Sequence, residues 1–306
     1  MEGNMALAWD QQTYTYKIID GCCIQADVYQ TTPRKKQPVI LWIHGGALIA
    51  GSRTSIAPYQ LTRYLQSGFT VVSIDYRLAP ETKLPEIIED LKDAVQWVRE
   101  KGPDLFSADP NQLVVIGHSA GGYLALMTGY GIDPLPQAIV SFYGYGNIIG
   151  PWYSQPDPWY CQQERVEKNR AYEAVGHTPL ANGEWVTRYP FYLYCRQHGL
   201  WPQEVAGQDP QENPGWFDRF SPLRNVTSRF PPTFLIHGDQ DTDVPLERSL
   251  EMDAAFGQNK VDHTLLVMPG RGHGFDGVIS ALADPVISQM FDQVVNFIRA
   301  YRISRS

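Results

Sequence analysis

The sequence has no run of 18 apolar residues, no basic cluster longer than Arg34-Lys35-Lys36, no internal repeat and only four cysteines. Without such a run no helix can span a bilayer, which takes about 20 apolar residues. The short basic cluster, in a chain of net charge −8, leaves the phosphate backbone of a nucleic acid little to bind, so neither nucleic acid nor membrane is expected as a partner. Cys22, Cys23, Cys161 and Cys195 are too few for a disulfide framework in a chain of 306 residues, and no Cys-x-x-Cys or His-x-x-x-His spacing marks a metal site. Reduced, mostly buried thiols and no metal or cofactor are the expectation. The opening residues MEGNMALAWDQQ lack the basic n-region and the apolar stretch of about 7 to 15 residues of a secretory signal, which points to the cytoplasm.

The bulk of the chain reads as globular: 43% of its residues are hydrophobic and 19% charged, and its length suffices for a large core without staples. Period-two and solid apolar runs predict strands near 13–19, 22–30, 38–44, 69–75, 112–117, 137–143, 232–237 and 263–268. Helical patterns lie between most of them. "LPEIIEDLKDAVQWVRE" puts Ile87, Leu91, Ala94, Val95 and Val98 on one face, and "DPVISQMFDQVVNFIRAY" does the same with Val286, Met290, Val294, Phe297 and Ile298. After two opening strands that read as an antiparallel hairpin, strand and helix alternate, which predicts a mainly parallel eight-stranded α/β sheet covered on both faces. Residues 145–220 break this rhythm. They hold five of the eight tryptophans, too aromatic for a disordered linker, and are read as a cap inserted between strands 6 and 7 of a core made by 1–144 and 221–306.

The residues able to do chemistry follow strand ends. In "VVIGHSAGG", Gly117 and Gly121 flank Ser119 symmetrically where a strand enters a helix, a bend sharp enough to lift the serine hydroxyl out of the sheet. A serine hydroxyl needs a base to take its proton and an acid to hold that base. "GRGHGF" offers His273 after the last strand, and "LIHGDQDTDVP" offers Asp239, Asp241 and Asp243 after the one before. His118 is read as pointing to the far side of the bend and His237 as structural. "VILWIHGGALIAG" runs from a strand into small residues whose backbone N–H groups can approach an oxyanion, making Gly46, Ala47 and Ala120 the candidate donors, with His44 bracing the loop. The order Ser, Asp, His is that of the α/β-hydrolase fold.

These motifs resemble the α/β-hydrolase esterases, in particular the branch around hormone-sensitive lipase and the small esterases similar to prolyl oligopeptidase catalytic domains. "HGGA" resembles the oxyanion motif, "DYRLAPE" a loop of the lipase-like branch, "GHSAGG" the nucleophile elbow, "HGDQDTDVP" the acid loop of the peptidase-like branch and "GHGF" its histidine loop. The resemblance runs from about residue 38 to the C-terminus, the insertion excepted. Aligned on Val244-Pro245, it assigns the acid to Asp241. It departs at Ala47, where a third glycine is common, and at Leu48, often tryptophan. Asp75 and Arg77 are read as a charge pair bracing their loop. The resemblance implies a serine carboxylesterase acting on small-molecule esters. Separately, the aromatic-rich residues 145–220 are expected to form the substrate-side wall, several of their rings standing over Ser119 and favouring short acyl chains. An amidase or peptidase would use the same triad, although no propeller-like repeat is present to gate peptides. A non-catalytic receptor on the same fold would typically lack His273. Nothing in the sequence fixes an oligomeric state.

Overall fold

Eight strands run in the order β1 (Trp9–Ile19), β2 (Cys22–Thr31), β3 (Gln37–Ile43), β4 (Thr70–Ile74), β5 (Ala108–His118), β6 (Ala138–Phe142), β7 (Thr233–Gly238) and β8 (His263–Met268). The structure is a computed structural model describing residues 8–277 and 284–301; the remaining residues of the expected core, 1–7, 278–283 and 302–306, lie outside the described residues. All the strands form one sheet, ordered β1-β2-β4-β3-β5-β6-β7-β8. β1 and β2 form the expected antiparallel hairpin, β2 meets β4 antiparallel, and every pair from β4 to β8 is parallel. The fold is an α/β-hydrolase fold. Two strands begin earlier than their apolar runs predict, β1 at Trp9 and β5 at Ala108. Most of the added residues are polar, and backbone pairing such as Trp9 with Thr31 and Ala108 with Gln37 extends these strands beyond the apolar pattern.

The helices are α1 (Pro58–Gln66), α2 (Leu84–Glu100), α3 (Gly102–Phe106), α4 (Ala120–Gly131), α5 (Pro151–Ser154), α6 (Lys168–Glu173), α7 (Trp185–His198), α8 (Trp201–Ala206), α9 (Glu247–Asn259) and α10 (Pro285–Ala300). Alternation along β3 separates two cores. Val39, Leu41 and Ile43 face a large cluster with Ile87, Leu91 and Val98 of α2 and Leu124 of α4, while Ile40 and Trp42 face a second with Leu61 and Tyr64 of α1 and Phe291 and Val294 of α10. Both faces of the inner parallel strands are thereby buried, which is why they read as solid apolar runs. The predicted face of α2 is buried throughout, but that of α10 is rotated. Val286 is 47% exposed and Phe297 only half-buried, because Ile287, Phe291 and Val295 turn inward.

Residues between β6 and β7 form helices rather than named strands, and they do not make a core of their own. Phe191, Tyr192, Trp201 and Phe217 belong to the same buried cluster as Val39 and Leu41, and the Tyr153 ring stacks on Trp201 with centroids 4.0 Å apart. Arg188 of α7 ties the segment down, donating to the carbonyls of Ile49 (2.5 Å) and Ala79 (2.7 Å) and to both carboxylate oxygens of Glu81. Asp75 and Arg77 do not pair with each other, contrary to the sequence reading. Asp75 accepts from Arg53 (2.6 Å) and Arg77 grips Asp90 of α2 (2.7 and 2.8 Å), so each braces its loop against a different element. All four cysteines are free, but only Cys22 and Cys195 are buried; Cys23 and Cys161 are exposed, against the expectation of mostly buried thiols. Among the described residues no helix is long and apolar enough to cross a membrane.

Candidate active site

The carboxyl ends of β3, β5, β7 and β8 point the same way, so the loops leaving them converge at one edge of the sheet, where open α/β sheets bind ligands. Between β5 and α4, Ser119 has φ 55° and ψ −119°, a strained conformation for a residue bearing a side chain. Close packing enforces the bend. A Cβ on Gly117 would sit 1.9 Å from the carbonyl oxygen of Gly121, and one on Gly121 would sit 2.2 Å from that of Ile43. The Ser119 amide donates to Phe142 O at 2.9 Å, anchoring the turn to β6.

His273, in the loop after β8, accepts from Ser119 Oγ at Nε2 (2.9 Å) and donates from Nδ1 to Asp241 Oδ2 (2.7 Å). A carboxylate can only accept, so Asp241 fixes the proton on Nδ1 and leaves Nε2 free to take another. The other oxygen of Asp241 accepts from the amides of Asp243 and Val244, each at 2.9 Å. The structure thus joins Ser119, His273 and Asp241 into one chain. Burial favours the neutral acid at Asp241, but hydrogen bonds from His237 and His273 and the charge of His273 hold its pKa well below the usual carboxylate range. Burial lowers the pKa of His273, but Asp243, Asp241 and Asp276 outweigh it and leave the imidazole more basic than an ordinary histidine.

At the end of β3, Gly46 (φ 103°), Ala47 (φ 55°) and Leu48 (φ 61°) lie in left-handed backbone. Gly46 and Ala47 line the same cavity as Ser119, and Ala120 opens α4 directly behind it. Trp201 Nε1 donates to Ala47 O at 2.9 Å, tying this loop to the insertion. His44 stacks on Tyr76 with centroids 4.3 Å apart, in keeping with a bracing role. His237, also buried, bonds Ser249 Oγ (2.7 Å) and Val244 O (2.9 Å).

Ser119 and His273 open onto a cavity of about 540 Å³, within the range of ligand pockets. Trp42, Ile56, Tyr143 and Trp185 supply its large apolar walls. His118 also lines it, so its side chain is on the same side as Ser119, not across the bend: Tyr143 and Asp276 draw it there, each 3.2 Å from Nδ1. Sequence reasoning missed Asp276, which accepts from Gln60 and Tyr143 at 2.6 Å each, and Tyr143, whose ring meets that of His273 edge-on at 4.7 Å. Asp276 stands three residues after His273 in "HGFD", a signal that was available; nothing local pointed to Gln60 or Tyr143. Among the described residues, no group of three or more His, Cys, Asp or Glu side chains could hold a metal ion.

The BD-FAE family profile matches residues 26–182, just over half of the chain, and the prolyl oligopeptidase family profile matches residues 183–289. The non-reducing polyketide synthase atr1 of Stereocaulon alpinum is 38% identical over 284 residues, covering 81% of this chain and 11% of that protein. Esterase LipC of Mycobacterium tuberculosis is 29% identical over 269 residues, covering 83% of this chain and 57% of LipC. The chain therefore spans a small part of such a synthase and just over half of LipC. A solved α/β hydrolase superfamily protein from Enterococcus faecalis superposes with a TM-score of 0.72 at 23% identity, covering 95% of this chain and 99% of that one.

Proposed function

Because the chain belongs to the BD-FAE family and has the α/β-hydrolase fold, we propose that it is a serine hydrolase working as a carboxylesterase on short-chain esters, with Ser119, His273 and Asp241 as its triad. The observation carrying this reading is the unbroken chain Asp241–His273–Ser119, with contacts of 2.7 and 2.9 Å, ending at the cavity. Ser119 Oγ attacks the ester carbonyl while His273 Nε2 takes its proton. The negative charge on the carbonyl oxygen is met by the amides of Gly46, Ala47 and Ala120. The tetrahedral species collapses, His273 returns the proton to the leaving alcohol, and water then releases the acid from Ser119. Asp241 holds the imidazole and offsets its charge. In this reading residues 145–220 serve as a cap whose direct contribution to the cavity wall is Trp185.

Ser119→Ala tests it. Turnover of p-nitrophenyl acetate should fall by about 10⁴ or more with the circular dichroism spectrum unchanged, and retention of a tenth of the activity sinks the assignment. Matched ester and anilide substrates separate an esterase from an amidase, a comparison made pertinent by the prolyl oligopeptidase match around Asp241 and His273. The identity to atr1 favours a second reading, in which the acyl group is a polyketide; faster turnover of a polyketide ester than of acetate esters would select it.

A further inference from the structure

His273 stands between two carboxylates, and the triad uses only one. Asp241 bonds Nδ1, whereas Asp243 Oδ2 lies 3.5 Å from Nε2, the nitrogen that faces Ser119 Oγ. Asp243 lines the cavity together with Ser119 and His273. Its other oxygen is fully engaged: Oδ1 accepts from Tyr160 (2.8 Å), from Arg196 (2.7 Å) and from Tyr192. All three donors come from the segment between β6 and β7. Among the described residues Oδ2 accepts no hydrogen bond, and His273 Nε2 faces it at 3.5 Å.

We propose that Asp243 orients the water that hydrolyses the acyl-enzyme, acting as a second acceptor beside the catalytic histidine. The inference rests on the esterase reading. A water about 2.8 Å from both His273 Nε2 and Asp243 Oδ2 closes a triangle whose third side is the observed 3.5 Å. One O–H of that water gives its proton to Nε2 and the other donates to Oδ2, which turns the oxygen lone pair toward the acyl carbon. The new C–O bond forms, the bond to Ser119 Oγ breaks, and Nε2 returns the proton to Oγ. Acylation needs no water, so the contact acts in deacylation alone.

A free carboxylate here would oppose the developing oxyanion, and Arg196 removes that objection. Its guanidinium, 1% exposed, holds Asp243 on one side and Asp157 on the other (2.7 and 2.6 Å) and lies over the rings of Tyr153 and Tyr160. The other acids are committed elsewhere: Asp239 accepts from Gly270 N (2.6 Å), and Asp276 from Gln60 and Tyr143. The charged groups facing His273 are thus Asp241, Asp243 and Asp276, and each of them raises its basicity. The insertion then does more than wall the cavity, since it builds the mount for this carboxylate.

Asp243→Asn separates the two half-reactions. The amide oxygen keeps the bonds from Tyr160, Tyr192 and Arg196, while an N–H₂ that cannot accept replaces Oδ2. In stopped flow with p-nitrophenyl acetate, the variant should release a burst of one p-nitrophenol per enzyme at a near wild-type rate. Its steady state should then be about ten- to a hundredfold slower, the scale of a misplaced reactant. Intact-protein mass spectrometry should show an acetyl adduct on Ser119. The acid limb of the deacylation rate should move to lower pH, because a group raising the basicity of His273 is gone; a merely structural defect leaves it in place. Tyr160→Phe removes one donor and keeps the carboxylate, so it should slow deacylation by a smaller factor, and it carries the test if Asp243→Asn does not fold. Equal slowing of burst and steady state, or no change in either, overturns the proposal. Absence of any p-nitrophenol release from the wild-type chain overturns the esterase reading instead.

Discussion

The side chain of Asp241, in the loop after β7, is buried with four donors around it: two backbone amides, His273, and His237 at 3.3 Å. It orients the imidazole because it is itself immobile. Asn at 241 would keep the shape but present the wrong partner to Nδ1, so kcat of Asp241→Asn should fall by about 10⁴. Asp239 is exposed, and among the described residues its carboxylate bonds the loop amide of Gly270, so Asp239→Asn should remain within a few-fold of wild type. Asp243→Asn should fall between them. Steady-state kinetics on the three proteins decides, and an Asp239 variant worse than the Asp241 variant would refute the assignment. The elevated basicity of His273 has its own consequence. The base works only when neutral, so activity disappears as pH falls through its pKa, and kcat/KM for an uncharged ester should have its acid limb above 6.5, the ordinary histidine value. A limb below that value would show that desolvation outweighs the three carboxylates.

At the scale of elements, the site depends on loops held from outside. Arg188 of α7 reaches two carbonyls and Glu81, bringing the loops after β3 and β4 against the insertion. Both charges are nearly removed from water, with side-chain exposures of 5% and 0%. Arg188→Ala takes the cation from the buried Glu81 carboxylate, leaving it the Gly176 amide, and losing one partner of a buried pair costs about 3–5 kcal/mol. Urea unfolding should register this loss. Activity should fall too, because Ile49 and Ala79 adjoin the backbone that carries Gly46 and Ala47. A fully active variant of wild-type stability would refute this account of the anchor.

The whole molecule confines its substrate mainly with core residues. Of the aromatic side chains in residues 145–220, Trp185 alone among those described lines the cavity; Tyr153, Tyr192 and Trp201 are buried in the shared core. The expected wall of several insertion rings is therefore replaced by Trp42, Ile56, Tyr143 and Trp185. Rigid rings limit chain length at the cost of only about 0.8 kcal/mol of burial per excluded methylene. Across p-nitrophenyl esters from acetate to palmitate, kcat/KM should peak at acetate or butyrate and be low beyond about eight carbons. A peak at twelve or more would mean that the cavity opens into a channel for lipids.

The sequence by itself determined the features whose cause is local. Solid apolar runs placed the inner parallel strands because both their faces are dry, period-two alternation placed the opening hairpin, and two glycines around Ser119 announced a bend that no Cβ tolerates. The chain order of Ser119, Asp241 and His273 made them candidates for one site, and in the structure their side chains lie in contact at 2.7 and 2.9 Å. Tertiary structure alone decided which charges pair. Arg196 and Asp243 are 47 residues apart and Arg188 and Glu81 are 107 apart, and no periodicity encodes such partners. Asp75 and Arg77 show the converse, being close in sequence and committed to different elements. A charge pairs with whatever the folded backbone brings within reach, and only the packing of the insertion onto the sheet brought a second carboxylate to His273.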